Sequence, residues 1–162
     1  MLNPTPFFIH SLNALAAILA KAETWQTEKG FKPEVIPNLR LIADMLPFWR
    51  QITIACDHAK GAGARLAGVE VPVYVDGDCA LADLRVRVAT TLAFLQSLPA
   101  NAFDAAESRT ITVKAGPREL TFPAAQYLHG YAVPNFYFHM TTAYAILRSN
   151  GLAIGKGDFL GG

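Results

Sequence analysis

At 162 residues, with a net charge of +1 and a pI near 7.8, the chain predicts one domain over 1–162 and no electrostatic case for nucleic acid or anionic membrane. It is 52% apolar and 17% charged, yet its longest apolar runs, such as 15–20, are too short to span a bilayer. The N-terminus lacks a basic segment followed by an apolar one, and Cys56 and Cys79 are too few for a disulfide framework and are not in C-x-x-C spacing, so a reduced cytoplasmic protein is expected.

Thr5-Pro6 is a helix-start signal, since a threonine hydroxyl can cap free N–H groups and proline fits the first helical position. Phe8, Leu12, Leu15, Leu19 and Ala22 follow at helical spacing, and Gly30 with Pro33 closes the helix. His10 falls off this stripe and is expected at the surface or rim. A second helix is placed over 39–66, with Leu41, Met45, Phe48, Ile52, Ala55 and Ala59 as its apolar face. Pro47 should kink it, because proline removes one hydrogen bond and crowds the carbonyl four residues back. Asp44, Gln51, His58 and Arg65 recur every seven residues and share one side of that helix. They form a polar flank, or else Gln51 and His58 look into the bundle. The run Lys60-Gly61-Ala62-Gly63-Ala64 lacks the order of a phosphate loop and more simply lets another helix approach.

Residues 69–78 read as an extended loop broken by Pro72 and Asp76-Gly77, with Asp78 capping a third helix. That helix carries Leu81, Leu84, Val88, Thr91/Leu92, Leu95 and Leu98 and stops at Pro99. Arg85 and Arg87, off the stripe, are expected in solvent. Beta-branched residues around Ala115-Gly116-Pro117 predict a short β-hairpin, which must pack on the helices to be stable. The fourth helix, over 122–150, is unusual. Leu128, Tyr131, Asn135, Phe138/His139, Thr142 and Ile146 recur at three- and four-residue steps, so Asn135, His139 and Thr142 stand on the stripe expected to be buried. Pro134 interrupts the ladder. Each buried polar group must be satisfied or costs about 1–3 kcal/mol, so this segment is a site or a specificity device. Asn150-Gly151 is a left-handed stop, and the tail 152–159 is expected to fold back over the bundle or onto a partner subunit. The pattern is all-α: a four-helix bundle with a hairpin between the third and fourth helices.

Several stretches carry a resemblance. In the second helix they are Asp44-Met45-Leu46-Pro47, Ala55-Cys56-Asp57, Ala59-Lys60-Gly61 and Ala64-Arg65-Leu66-Ala67-Gly68. Near the end they are Pro134-Asn135-Phe136-Tyr137-Phe138-His139, Thr141-Thr142-Ala143-Tyr144-Ala145-Ile146-Leu147-Arg148 and Asn150-Gly151. With these the chain resembles an uncharacterised bacterial domain-of-unknown-function family within the DinB/YfiT-like group of four-helix bundles. The resemblance implies the fold. The wider group is similar to metal-binding bundles, some of them thiol-dependent transferases or isomerases, with one histidine on the second helix and an H-x-x-x-H pair on the last. Residues four apart share a helix face, so such a pair reaches one ion. This sequence departs from that pattern, offering Asn135-x-x-x-His139, and an amide oxygen is a weak ligand for zinc or nickel. The resemblance therefore implies a divalent ion (nickel, zinc or iron) on His139 and His58, with Asn135 where a third ligand would stand.

Two readings stay open. In the first the chain is a degenerate metal-dependent enzyme with its site between the second and fourth helices. His139 is then ligand or general base, His58 the second ligand and Asn135 an orienting group. Gln51, Tyr131 and Thr142 line a pocket for an unknown small molecule, and Arg148 binds an acidic group if it turns inward. In the second the chain is a non-catalytic dimeric binding or structural bundle that has lost its metal and keeps an Asn–His–Thr network. Phe136, Tyr137 and Phe138 point in three successive directions, so one faces outward, which predicts a homodimer. No G-x-S-x-G elbow is present, and Cys56 and His58, two apart, do not face each other on a helix.

Overall fold

The computed structural model describes residues 2–76 and 79–162. Its first helix, α1 (Thr5–Lys29), starts one position differently from the sequence expectation. Thr5 is the first helical residue rather than the cap: Pro4 holds the N-cap position without a side-chain cap, and Asn3 before it accepts through Oδ1 from the Thr5 backbone N–H at 3.0 Å and from the Thr5 hydroxyl at 2.7 Å. The stripe Phe8, Leu12, Leu15, Leu19 and Ala22 is buried, and Gly30 ends the helix at a positive φ of 65° that residues with a Cβ rarely adopt. His10 is exposed, as expected.

The second long helix corrects the sequence reading. It does not begin at Leu39 and is not kinked at Pro47. Instead a short helix α2 (Val35–Asn38) is followed by an irregular stretch in which Leu41 and Ile42 are exposed, and α3 (Phe48–Ala67) starts directly after Pro47. Pro47 cannot continue a preceding helix, but it costs nothing where a helix begins and no N–H is required. Asp44 therefore lies outside the helix, while Gln51, His58 and Arg65 keep their common side. Further on, an alanine Cβ at Gly63 would sit 2.5 Å from Leu95 Cδ2, so the small residues do let a neighbouring helix approach.

That neighbour is α4 (Leu81–Ser97), which buries Leu81, Leu84, Val88, Thr91 and Leu95. Its start is held by Asp83, whose Oδ2 accepts from the Ala80 N–H at 3.1 Å; the expected Asp78 cap lies outside the described residues. Arg85 is exposed and pairs with Glu23, whereas Arg87 is not solvated: its side chain is only 9% exposed. It is drawn in by Asp76 and by the Tyr74 ring, on the extended segment that precedes α4.

The hairpin forms as predicted, with β1 (Thr110–Ala115) antiparallel to β2 (Arg118–Pro123) and Thr112 opposite Thr121. Ile111 and Val113 are its buried face. Arg109 fastens it to the bundle by donating from Nη1 to the Leu66 carbonyl at 2.8 Å, satisfying a free carbonyl at the end of α3. From Ala124 the chain is helical to Ser149, but in three parts: one turn α5 (Ala124–Gln126), a π-helical segment Tyr127–Ala132, and α6 (Val133–Ser149). Phe122 and Pro123 belong to β2 rather than to this helix.

The bundle is made of α1, α3, α4 and α6. Helix α3 packs on both α6 and α4, α1 packs on α4, and the Phe8–Phe136 edge-to-face pair at 4.9 Å joins α1 to α6. Each fully buried aliphatic or aromatic side chain contributes about 1.5–3 kcal/mol, so this core carries most of the stabilisation. The tail folds back on the bundle: Leu152 and Ile154 are buried, and α7 (Lys156–Leu160) lies on α1 through Lys21–Asp158 and a 2.8 Å contact of His10 Nε2 with the Leu160 carbonyl. No helix among the described residues is long and apolar enough to cross a membrane.

Candidate functional site

The π-helical segment decides which side chains of the last helix meet α3. Pro134 has no N–H to give to the carbonyl four residues back, and its ring crowds the preceding turn. Widening that turn to π geometry relieves the conflict and inserts one extra residue into the register. The buried line of this helix therefore runs Leu128, Ala132, Phe136, Met140, Ala143 and Leu147. The expected stripe through Tyr131, Asn135 and His139 is not the core line but its flank, half-buried along the groove between α6 and α3.

Four of the predicted residues, Gln51, His58, Tyr131 and His139, are brought together there. His139 Nδ1 lies 2.7 Å from Gln51 Oε1, across the α3–α6 contact. Gln51 is 1% exposed, and its Nε2 donates to the Leu46 carbonyl at 3.0 Å. That second bond fixes the amide, because the Leu46 carbonyl can only accept. The oxygen must then face His139, so Nδ1 carries the imidazole proton and Nε2 keeps its lone pair. The break at Pro47 matters here: it turns Leu46 out of any helical ladder and frees the carbonyl that orients Gln51.

His58 lies alongside, its ring stacked within 13° of parallel on His139 at 6.1 Å between centroids and edge-on to Tyr131 at 5.7 Å. Tyr131 in turn stacks on Tyr127 at 6.0 Å, and Phe138 meets His139 edge-on at 5.2 Å. A continuous row of rings, Tyr127–Tyr131–His58–His139–Phe138, thus follows the groove. Arg65 stands at one end, donating from Nη1 to the Tyr127 hydroxyl at 3.2 Å, and Arg50 acts on His139 at the other. Burial, then the neighbouring His139 and Arg65, push His58 down to about 4, with Asp57 opposing. Burial and the Arg50 charge lower His139 as well. Both rings are neutral at pH 7.

The other predicted residues do something else. Asn135 Nδ2 donates to the Tyr131 carbonyl at 2.7 Å, and the Thr142 hydroxyl donates to the Phe138 carbonyl at 2.7 Å, so both serve their own helix backbone. Arg148 does not turn inward. It is exposed in the last turn of α6, about 13 Å along the helix from His139 at 1.5 Å per residue. Tyr127 and Arg50 were not singled out from the sequence. Tyr127 had one signal, its four-residue step to Tyr131; Arg50 had none beyond lying next to Gln51.

The donor set does not fit a resident divalent ion of the kind the resemblance implies. Catalytic zinc takes three protein ligands, and among the described residues no three His, Cys, Asp or Glu side chains converge as a ligating group. The groove offers two imidazoles, with Gln51 Oε1 engaged by His139. Cys56 is no substitute. It is fully buried, burial pushes its thiol up to about 12, and it sits beside Thr91 of α4.

A family model described as a domain of unknown function, DUF1993, matches residues 4–160 of the chain. The chain is also similar to a crystal structure of a DinB family member protein from Shewanella denitrificans. The two share 39% identity, covering 98% of this chain and 89% of that one, with a TM-score of 0.85. No curated protein matches.

Proposed function

This chain belongs to the DUF1993 family and has a DinB-like fold, and from that premise we propose that it is a cytoplasmic enzyme of the thiol-transferase or isomerase type working without metal, through His139 as general base. The observation that carries the reading is the Leu46–Gln51–His139 chain of hydrogen bonds. A buried glutamine with both ends fixed exists at a cost in side-chain entropy, and its effect is to present the Nε2 lone pair of a neutral imidazole. Nε2 accepts the proton of a thiol, or of an acidic C–H, as the substrate reacts. Arg50, whose charge already lowers His139, favours the anion left behind. The aromatic row supports a planar or apolar substrate body, with His58 and Tyr131 as its floor.

A direct test uses chelator-treated, tag-free protein with a low-molecular-weight thiol and 1-chloro-2,4-dinitrobenzene, together with a panel of isomerisation substrates. Turnover is expected without added metal and should fall about 10²–10⁴-fold in His139→Ala while circular dichroism stays native. Metal content by inductively coupled plasma mass spectrometry should be far below stoichiometric in both proteins. Activity that requires added nickel, zinc or iron, or that survives His139→Ala, would refute the proposal.

One observation favours a second reading, the dimeric binding module. Of the three aromatics at 136–138, Phe136 is buried, Tyr137 bonds Ser11 through its hydroxyl, and Phe138 is 56% exposed beside His139. Exposed Leu46 lies at the same place, since its carbonyl holds Gln51. A second copy of this chain covering that lip would bury both. A monomeric mass by sedimentation at micromolar concentration counts against it, as does a dimer that Phe138→Ser leaves intact.

A further inference from the structure

Side chains on a helix lean towards its N-terminus, so Arg65 lies back over residue 61, four positions earlier on α3. That residue is Gly61. An added Cβ there would collide with Arg65 Nη1 and lie 3.9 Å from the Tyr127 hydroxyl. The notch left by the missing side chain is filled by the guanidinium, which donates from Nη1 to that hydroxyl at 3.2 Å. Tyr127 is 1% exposed and packed against Phe122 and Tyr131, so it anchors the cation. Glycine weakens a helix interior relative to alanine, and an arginine left in solvent would gain nothing from one. Here glycine and tyrosine together fix where the charge sits.

Arg65 is also unbalanced. Among the described residues it forms no ion pair, whereas Arg50, Arg85 and Arg87 each hold an aspartate or a glutamate. Its bond to Tyr127 uses one of five N–H groups. The others are not shut in: Arg87 Nη1 is the one arginine nitrogen among the described residues that is buried without an acceptor, so Arg65 Nε and Nη2 open to solvent. The guanidinium stands level with Gly61, about 5 Å along α3 from His58 at 1.5 Å per residue. The His139 ring lies beyond His58 on the Gln51 side, 6.1 Å from it. An anion on Arg65 and a group reacting at His139 Nε2 are thus on the order of 10 Å apart, with the aromatic row between them.

We propose that Arg65 is a carboxylate subsite at the far end of the groove, and that the thiol taken by the His139 site carries a carboxylate at the other end of a short apolar chain. This names a substrate class for the function proposed above and rests on that reading. A planar carboxylate fits the two parallel N–H groups of the Nε–Nη2 edge, and its single charge balances the one unpaired cation. The chain between the two ends lies on His58 and Tyr131.

The test titrates chelator-treated, isotope-labelled protein with hexanoate and with hexan-1-ol, followed by ¹H–¹⁵N correlation spectra. Turnover of 1-chloro-2,4-dinitrobenzene is then compared with 6-mercaptohexanoate and with 6-mercaptohexan-1-ol as the thiol. Hexanoate should bind saturably with a Kd of about 1 mM, shifting the Arg65 Nε–H resonance and the amides around Gly61 and Tyr131. The alcohol should bind at least about tenfold more weakly, the weight of one charge-assisted bond, and kcat/KM should favour the mercapto acid by a similar factor. Both preferences should vanish in Arg65→Met. They should vanish equally in Gly61→Ala, whose methyl group drives the guanidinium from its notch while circular dichroism stays native. Gly61→Ala leaves the net charge unchanged, so it separates a positioned cation from a general attraction for anions. If Arg65→Met fails to fold, Gly61→Ala decides alone. No saturation by about 20 mM, an equal response to the alcohol, or a preference that survives Gly61→Ala overturns the proposal. Arg65-dependent binding of hexanoate without turnover of any thiol would support the subsite and refute His139 as the base. Turnover blind to the carboxylate would refute the subsite and leave His139 standing.

Discussion

Acidification should unfold this protein earlier than its carboxylates alone would, and His58 is the reason. Its pKa is held at about 4 in the folded chain against 6.5 in an unfolded one. Between those two values the unfolded state takes up a proton that the native state refuses, so stability is complete above about pH 6.5 and falls as the pH drops towards 4. Each tenfold change in proton concentration across that window removes about 1.4 kcal/mol, giving about 2 kcal/mol by pH 5 and about 3 kcal/mol at its acid end. His139 is lowered by burial and Arg50 and pushes in the same direction. The decisive comparison is with His58→Phe, which keeps a ring against Tyr131 but cannot ionise. Urea unfolding followed by far-ultraviolet circular dichroism at pH 7.5, 6.5, 5.5 and 4.5 gives stability for both proteins. The wild-type loss should exceed that of the variant by about 2–3 kcal/mol, since carboxylates and His139 are common to the two. Identical slopes, or a wild type that gains stability on acidification, would refute the argument that desolvation and the neighbouring imidazole keep His58 neutral.

Two further outcomes follow from packing and from the hydrogen-bond chain. Gln51→Leu leaves both the Leu46 carbonyl and His139 Nδ1 without their partner and should cost about 1–3 kcal/mol. Long-range ¹⁵N correlation spectra should then show His139 leaving the pure Nδ1–H tautomer; an unchanged tautomer would mean Gln51 does not set it. Gly63→Ala would gain up to about 1 kcal/mol of helix propensity on an open face. Here its Cβ meets Leu95 at 2.5 Å and Leu98 at 3.2 Å, so a net loss of about 1–3 kcal/mol and a lower Tm are expected, and a raised Tm would show that α4 can yield.

Where the chain alternates simply between apolar and polar at one period, its sequence was readable. The stripes of α1 and α4, the Gly116-centred hairpin and the Asn150-Gly151 stop all appear as read, because each depends on local geometry. Pro47 was ambiguous for a physical reason. Leu41 and Met45 continue the spacing of Phe48 and Ile52, and periodicity cannot tell a kinked helix from a helix that starts at the proline. The burial of Arg87 comes from Asp76 and Tyr74, contacts that helical spacing does not encode. The site was half legible. The seven-residue spacing put Gln51 and His58 on one side, and the last helix offered His139, but the pairing of Gln51 with His139 spans 88 residues. Asn135 and Thr142 were visible as polar residues in an apolar helix, and only the fold shows that they bond their own backbone.

The wide turn ahead of Pro134 also bears on how this chain is lined up with its relatives. A π turn holds one residue more than the α turn it replaces, and every side chain after it is rotated by about 100° relative to an uninterrupted α-helix. Counting back from His139 to Asn135 stays within α6 and is safe. Counting from His139 to Tyr131 or Tyr127 crosses the turn, and a relative lacking the insertion would present a different residue at the same point in space. Against a relative whose last helix is α-helical throughout, matching positions letter by letter across residues 127–132 would be off by one, and deleting a single residue there should swing His139 and Phe138 together out of the groove.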